Sequence, residues 1–199
     1  EKYPENELAY VGVGQVTNQT QSGRLAYDYM LNLAKENGEQ DVIDKLEKFD
    51  PHAGNFPQLD YLVQGRTALM NKYGIGHLHQ GISFFDILKA LFVFKGYTVS
   101  EKIGWLLGAD FLMIHLFPAV LADDLFESSA SFEVPFYIVQ GAYDYQVSQV
   151  LAEQYLDALE APHKEYFSFE NSAHSPNLEE TERFIEIFRR IASEEQLAA

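Results

Sequence analysis

Apolar positions along the chain change their spacing several times, and each change predicts a different kind of element. Leu8-Ala9-Tyr10-Val11-Gly12-Val13-Gly14-Gln15 is a short apolar run ending in small residues, which predicts a buried strand behind a turn at Pro4-Glu5-Asn6. Beyond it Leu25, Tyr29 and Leu33 recur at helical spacing, with Ser22 as the expected cap and Asn37-Gly38 as the stop. Asp41 to Lys48 continues as a short amphipathic helix that ends at Asp50-Pro51. From Gln58 to Ala130 the spacing stays helical. Leu59, Leu62, Val63 and Arg66 open one helix there, and Thr98-Val99-Ser100-Glu101 has the spacing of a capping box ahead of Ile103 to Leu107. Between Val16 and Phe132 nothing predicts a strand, and no repeat is found.

The pattern then shifts. Val134-Pro135-Phe136-Tyr137-Ile138-Val139-Gln140-Gly141 is a β-branched and aromatic run closed by Gly, which predicts a second buried strand. A helix from about Ser148 places Leu151, Tyr155 and Leu159 on one face, and Lys164 to Phe169 alternates as a third strand. A loop, Glu170 to Pro176, leads to a last helix with Asn177 as its expected cap and Phe184, Phe188 and Ile191 as its inner stripe.

Strand, helix, strand, helix is the order of a parallel sheet covered by helices, so the fold class is α/β. The expected division is 1–15 as a strand region of the core, 16–131 as a mainly helical insertion, and 132–199 as the rest of the core. Parallel strands are normally buried on both faces and flanked by neighbours. About three strands therefore make an incomplete sheet with open edges, which predicts pairing with another copy or with further strands.

Composition narrows the functions available. Hydrophobic residues make up 47% of the 199 residues, with 15 Phe and 12 Tyr, enough for a packed core. The longest apolar stretch, Leu106 to Val120, is broken by Asp110, His115 and Pro118, short of the about 20 residues a membrane helix needs. The opening residues Glu1-Lys2-Tyr3-Pro4-Glu5-Asn6 lack the basic start and apolar run of a signal peptide and read as the middle of a longer sequence. With no cysteine there is no disulfide framework, thiolate metal site or cysteine nucleophile, and a cytoplasmic setting is expected. A net charge of −16 repels phosphate backbones and anionic lipid, which disfavours nucleic-acid and membrane-surface partners. It suits a solvated acidic surface, or a cationic substrate such as a peptide amino terminus.

Two residues stand out for chemistry. Asp144 follows the strand that ends at Gly141, and His174 follows the strand that ends at Phe169. Catalytic groups gather at the carboxyl ends of strands in an open parallel sheet, so adjacent strands would bring both to one edge. An Asp that accepts a hydrogen bond from one imidazole nitrogen fixes the tautomer and frees the other nitrogen to take a proton. Each residue alone reads as well as an ordinary loop residue. The order strand, Asp, helix, strand, His, helix, with 30 residues between the two, is how hydrolases with chain order Ser, Asp, His finish.

Three segments carry a resemblance: Gln140-Gly141-Ala142-Tyr143-Asp144-Tyr145-Gln146, Leu159-Glu160-Ala161-Pro162-His163-Lys164, and Phe169-Glu170-Asn171-Ser172-Ala173-His174-Ser175-Pro176. With Ala9 to Gln15 upstream, they resemble the proline iminopeptidase-like branch of the α/β-hydrolases over nearly the whole chain. The resemblance implies the C-terminal part of that fold, with Asp144 as triad acid, His174 as triad base, and a helical cap within 16–131. It implies a serine hydrolase acting on amide or ester bonds, an N-terminal prolyl peptide foremost, and no cofactor.

The chain departs from the family in one large respect. No Gly-x-Ser-x-Gly elbow occurs in it, nor the early His-Gly-Gly-type oxyanion loop, so no nucleophile is assigned and the chain alone is expected to be inactive. Ser172 and Ser175 flank His174 too closely in an extended loop to turn onto its ring. His77 and His79 are too few for a metal site, and Gly12-x-Gly14 lacks the third Gly of a dinucleotide loop. Trp105, Phe84, Phe85, Phe92 and Phe94 are expected in the core of the helical region. Two rival readings remain: an esterase or lactonase of the same fold, and a non-catalytic binding or assembly module that keeps the hydrolase framework.

Overall fold

The computed structural model describes residues 3–52, 60–61, 66–79 and 84–198. Its sheet has three parallel strands in the order β1 (Tyr10–Val13), β2 (Phe136–Gly141) and β3 (Lys164–Phe169). Tyr10 pairs with Phe136 and Val13 with Val139, while Phe136 pairs with Lys164 and Gly141 with Phe169. All six residues of β2 are buried, as the central strand of a sheet covered on both faces requires.

Alternation along β2 divides the core in two. Phe136 and Ile138 face the helix Gln149–Ala158, meeting Ala152, Tyr155 and Leu156. Tyr137 and Val139 face the other way and, with Phe167 and Phe169 of β3, pack on Ile191 of the last helix. Phe184 and Phe188 lean on that second cluster, the stripe the sequence predicts. The outer edge of β1 is open: Tyr10 and Val13 are partly exposed.

Every described element between β1 and β2 is helical: a 3-10 turn at Glu47–Phe49 and seven α-helices. In chain order, numbered through to the last helix, they are α1 (Gln19–Asn37), α2 (Gln40–Leu46), α3 (Thr67–Tyr73), α4 (Phe84–Val93), α5 (Val99–His115), α6 (Phe117–Ala122) and α7 (Leu125–Ser128). After β2 come α8 (Gln149–Ala158), α9 (Pro176–Glu179) and α10 (Thr181–Ala198). The helical excursion leaves and rejoins the sheet at one place. Asn18 bridges to Asp124, its Nδ2 donating to Asp124 Oδ2 at 2.8 Å, and Leu125 N–H donates to Thr17 O at 2.9 Å.

Three expectations change. Helix α1 starts earlier than Ser22, because Asn18 Oδ1 accepts Gln21 N–H at 2.8 Å and caps it. Its buried residues include Ser22, Ala26, Met30 and Ala34, while Leu25, Tyr29 and Leu33, at the helical spacing expected, are partly buried. The small residues allow close approach to α2 and to Tyr61, Leu69 and Met70, and the larger ones sit at the flanks. The last helix is two pieces, since the chain turns out of helical geometry at Glu180. Phe85, Phe92 and Phe94 are 80%, 48% and 55% exposed and Trp105 is 53% exposed, so they are not core. There α4 and α5 leave apolar surface outward; the side chain of Phe84 lies outside those described, as do Leu59, Leu62 and Val63. The Thr98–Glu101 capping box forms with both halves in place, and Gly38 ends α1 in the left-handed conformation.

Candidate active site

The loop after β2 and the loop after β3 meet at the carboxyl edge of the sheet. Gly141 ends β2 where the backbone of the second loop crosses it. A β-carbon at Gly141 would lie 2.0 Å from Ala173 O and 2.3 Å from Ser172 O, so only glycine permits the crossing. Tyr143 N–H donates to Ser172 O at 3.0 Å and locks the two loops together.

Asp144 is fully buried and both of its carboxylate oxygens have partners. Oδ1 accepts Val147 N–H at 3.1 Å, and Oδ2 accepts Gln140 Nε2 at 2.7 Å. His174 Nδ1 lies 2.9 Å from the same Oδ2. An ionised carboxylate only accepts, so Nδ1 carries the proton and Nε2 of the neutral ring is left as a base. The imidazole is about one quarter exposed, open to solvent on one side.

Gln140 is the residue the sequence does not announce. Wholly buried at the end of β2, it donates to Asp144 and, at 3.1 Å, to Val147 O, while its Oε1 accepts Gln15 N–H at 3.0 Å from the turn after β1. It thus ties the turn after β1 and the loop after β2 to Asp144. Its position in an apolar run gives the only signal, a polar residue where a strand interior wants none.

The helical excursion braces the same point. Adjacent carbonyls of Ile75 and Gly76 accept Tyr145 N–H at 3.0 Å and His174 N–H at 3.1 Å. Arg66, almost fully buried, donates through Nη2 to Tyr145 O and Gln146 O at 2.9 and 2.6 Å. Burial holds its pKa below the ordinary arginine value, against the opposing pull of Tyr61 and Asp144.

The ring of His77 stands edge-on to His174 with centroids 5.9 Å apart. Desolvation first, and His174 second, lower its pKa from the ordinary histidine value. His79 turns elsewhere: its ring stacks on Tyr143 at 3.6 Å and its Nδ1 bonds Gly74 O at 2.7 Å. Among the described residues no group of three His, Cys, Asp or Glu could hold a metal ion, and no helix is long and apolar enough to cross a membrane. Ser172 is buried with its hydroxyl donated to Glu180 at 2.7 Å, and Ser175 stands at the start of the short helix α9 without a side-chain capping bond.

No family model matches the chain. It is 27% identical over 189 residues to the probable aminopeptidase YbaC of Bacillus subtilis (strain 168), which covers 95% of this chain and 58% of that protein. It is 42% identical over 67 residues to the AB hydrolase superfamily protein YclE of the same organism, 34% of this chain and 24% of that protein. Among solved structures, a proline iminopeptidase from Mycobacterium smegmatis superposes with a TM-score of 0.66 at 10% identity, over 100% of this chain and 61% of that one. VinJ superposes with a TM-score of 0.51 at 17% identity, over 94% of this chain and 57% of that one. The chain therefore spans about three fifths of the length of the relatives it matches along nearly its whole length. Its sheet and helices are part of an α/β-hydrolase fold, and the chain resembles the proline iminopeptidase-like branch of that superfamily.

Proposed function

We propose that the protein containing this chain is a serine hydrolase in which Asp144 and His174 are the acid and base of a catalytic triad. The nucleophile would be a serine on an elbow that these 199 residues do not include. The observation that carries the reading is the 2.9 Å contact between His174 Nδ1 and a buried carboxylate at the carboxyl edge of the sheet.

In this reading the serine hydroxyl attacks an amide or ester carbonyl and His174 Nε2 takes its proton. The imidazolium returns that proton to the leaving group, and Asp144 stays ionised to stabilise the cation between the two steps. Water repeats the sequence to release the acid product. The helical segment within 16–131 serves as the cap, a role supported by the placement of Ile75, Gly76 and His77 against the pair. Short peptides with a free amino terminus are the favoured substrate class, because the resemblance and the acidic chain point the same way. A cysteine-free chain suits a cytoplasmic setting. The open edge of β1 would pair with further strands of the sheet or with a second copy, and a monomeric chain on size exclusion counts against the second copy.

A panel of prolyl arylamides and short-chain aryl esters tests the reading on the protein with its elbow. Arylamide cleavage that falls about ten-thousandfold in Asp144→Asn is the expected result. Ester cleavage alone would shift the substrate class, and cleavage of neither would leave a non-catalytic module. The 199-residue chain by itself should not react with an activated-serine probe; labelling of any of its serines would overturn the placement of the nucleophile elsewhere.

A further inference from the structure

We propose that Glu179 is a positioning residue for the base, clipping the His174 loop to the segment 74–79; this rests on the acid–base reading of Asp144 and His174. Both of its carboxylate oxygens are engaged by backbone. Oε1 accepts His79 N–H at 2.6 Å, and Oε2 accepts Ala173 N–H at 2.8 Å. Ala173 is buried and directly precedes His174. Two amide donors on an ionised acceptor make charge-assisted bonds, roughly twice as strong as neutral ones.

The far end of the clip is itself fixed. The ring of His79 is held by Gly74 O and stacked flat on Tyr143, and Tyr143 is the neighbour of Asp144. Contacts therefore run in a closed circuit from Asp144 through Tyr143, His79, Glu179 and Ala173 to His174, and back to Asp144 by the imidazole bond. Opening the circuit at Glu179 loosens the backbone that aims the ring, leaving the bond of His174 N–H to Gly76 O, and touches neither the ring nor the acid.

The break between α9 and α10 makes this division of labour possible. Glu180, turned out of the helix, reaches Asn171 N–H at 3.1 Å and Ser172 Oγ at 2.7 Å. Neighbouring carboxylates thus hold successive residues of the approach to His174, and of the two it is Glu179 that also reaches the segment 74–79, beside the bond of His174 N–H to Gly76 O.

Proton NMR of the full chain tests the role, because an imidazole N–H bonded to a carboxylate gives a low-field resonance. Glu179→Ala is expected to broaden or remove that resonance and to speed amide exchange at both His79 and Ala173 about tenfold or more, with the far-ultraviolet circular dichroism unchanged. Should that variant not fold, Glu179→Gln keeps one acceptor oxygen and should speed exchange at one of the two amides. Glu180→Gln should speed exchange at Asn171 and leave His79 protected. A low-field resonance and exchange rates equal to the parent's in the Glu179 variants would overturn the proposal. Failure of the underlying reading looks different: the parent lacks the resonance, or the resonance survives Asp144→Asn.

Discussion

The α-carbon of Gly14 lies against the imidazole of His174, so close that a β-carbon there would sit 2.6 Å from Cε1 and 2.8 Å from Nδ1. Gly14 also has φ of +60°, a conformation side chains rarely adopt. The turn after β1 therefore forms one wall of the histidine's seat.

Gly14→Ala should meet both obstacles. Left-handed backbone strain and the clash together are expected to cost about 1–3 kcal/mol of stability, and the ring should be pushed off Asp144. Urea unfolding measures the first and the low-field imidazole proton the second. An unchanged resonance would mean the ring has room to yield.

Gln140→Leu removes the amide that serves Asp144, Val147 and Gln15 at once. Buried polar groups left without partners cost about 1–3 kcal/mol each, so a loss of at least about 3 kcal/mol in urea unfolding is expected. A loss below 1 kcal/mol would show that water takes the vacated place.

His77 makes stability depend on pH. Its pKa in the folded chain lies below the ordinary 6.5, mainly through desolvation and next through His174. The folded state therefore binds that proton less readily than the unfolded state. Its contribution is intact above pH 6.5 and is lost as pH falls through the lower folded value. His77→Gln should flatten the decline that begins just below pH 6.5, read as urea midpoints across a pH series. Parallel curves for parent and variant would exclude the effect.

Asn18 caps α1 and also holds Asp124, so Asn18→Ala loses two contacts. A cost of about 1–2 kcal/mol is expected from the cap. Thermal unfolding should show it, and Asn18→Asp should not restore it because the new carboxylate faces Asp124.

How much of this was legible beforehand differs by kind of feature. The run ending at Gly141 and the alternation over Lys164–Phe169 locate β2 and β3, because buried strands need such residues whatever lies around them. The meeting of Asp144 and His174 is legible from their places just past those strands. Gln140 and Glu179 are not: each acts through a partner far along the chain, and no local spacing records that. The buried face of α1 is hard to read from spacing for a related reason. Large side chains mark a hydrophobic face, but Ser22, Ala26 and Ala34 mark where another element comes closest. In the α4–α5 region apolar spacing foretells helices without foretelling burial, since burial needs a neighbour that spacing cannot supply.

The paired carbonyls of Ile75 and Gly76 bear on how such a molecule could be redesigned. One receives the amide beside the acid and the other the amide of the histidine. A chimera that exchanged the helical excursion at its narrow stalk, Thr17 to Leu125, would keep the sheet and cut both tethers in one stroke. Exchanging that segment would then degrade the alignment of Asp144 and His174 as well, unless the donor segment brought two carbonyls to the same spot.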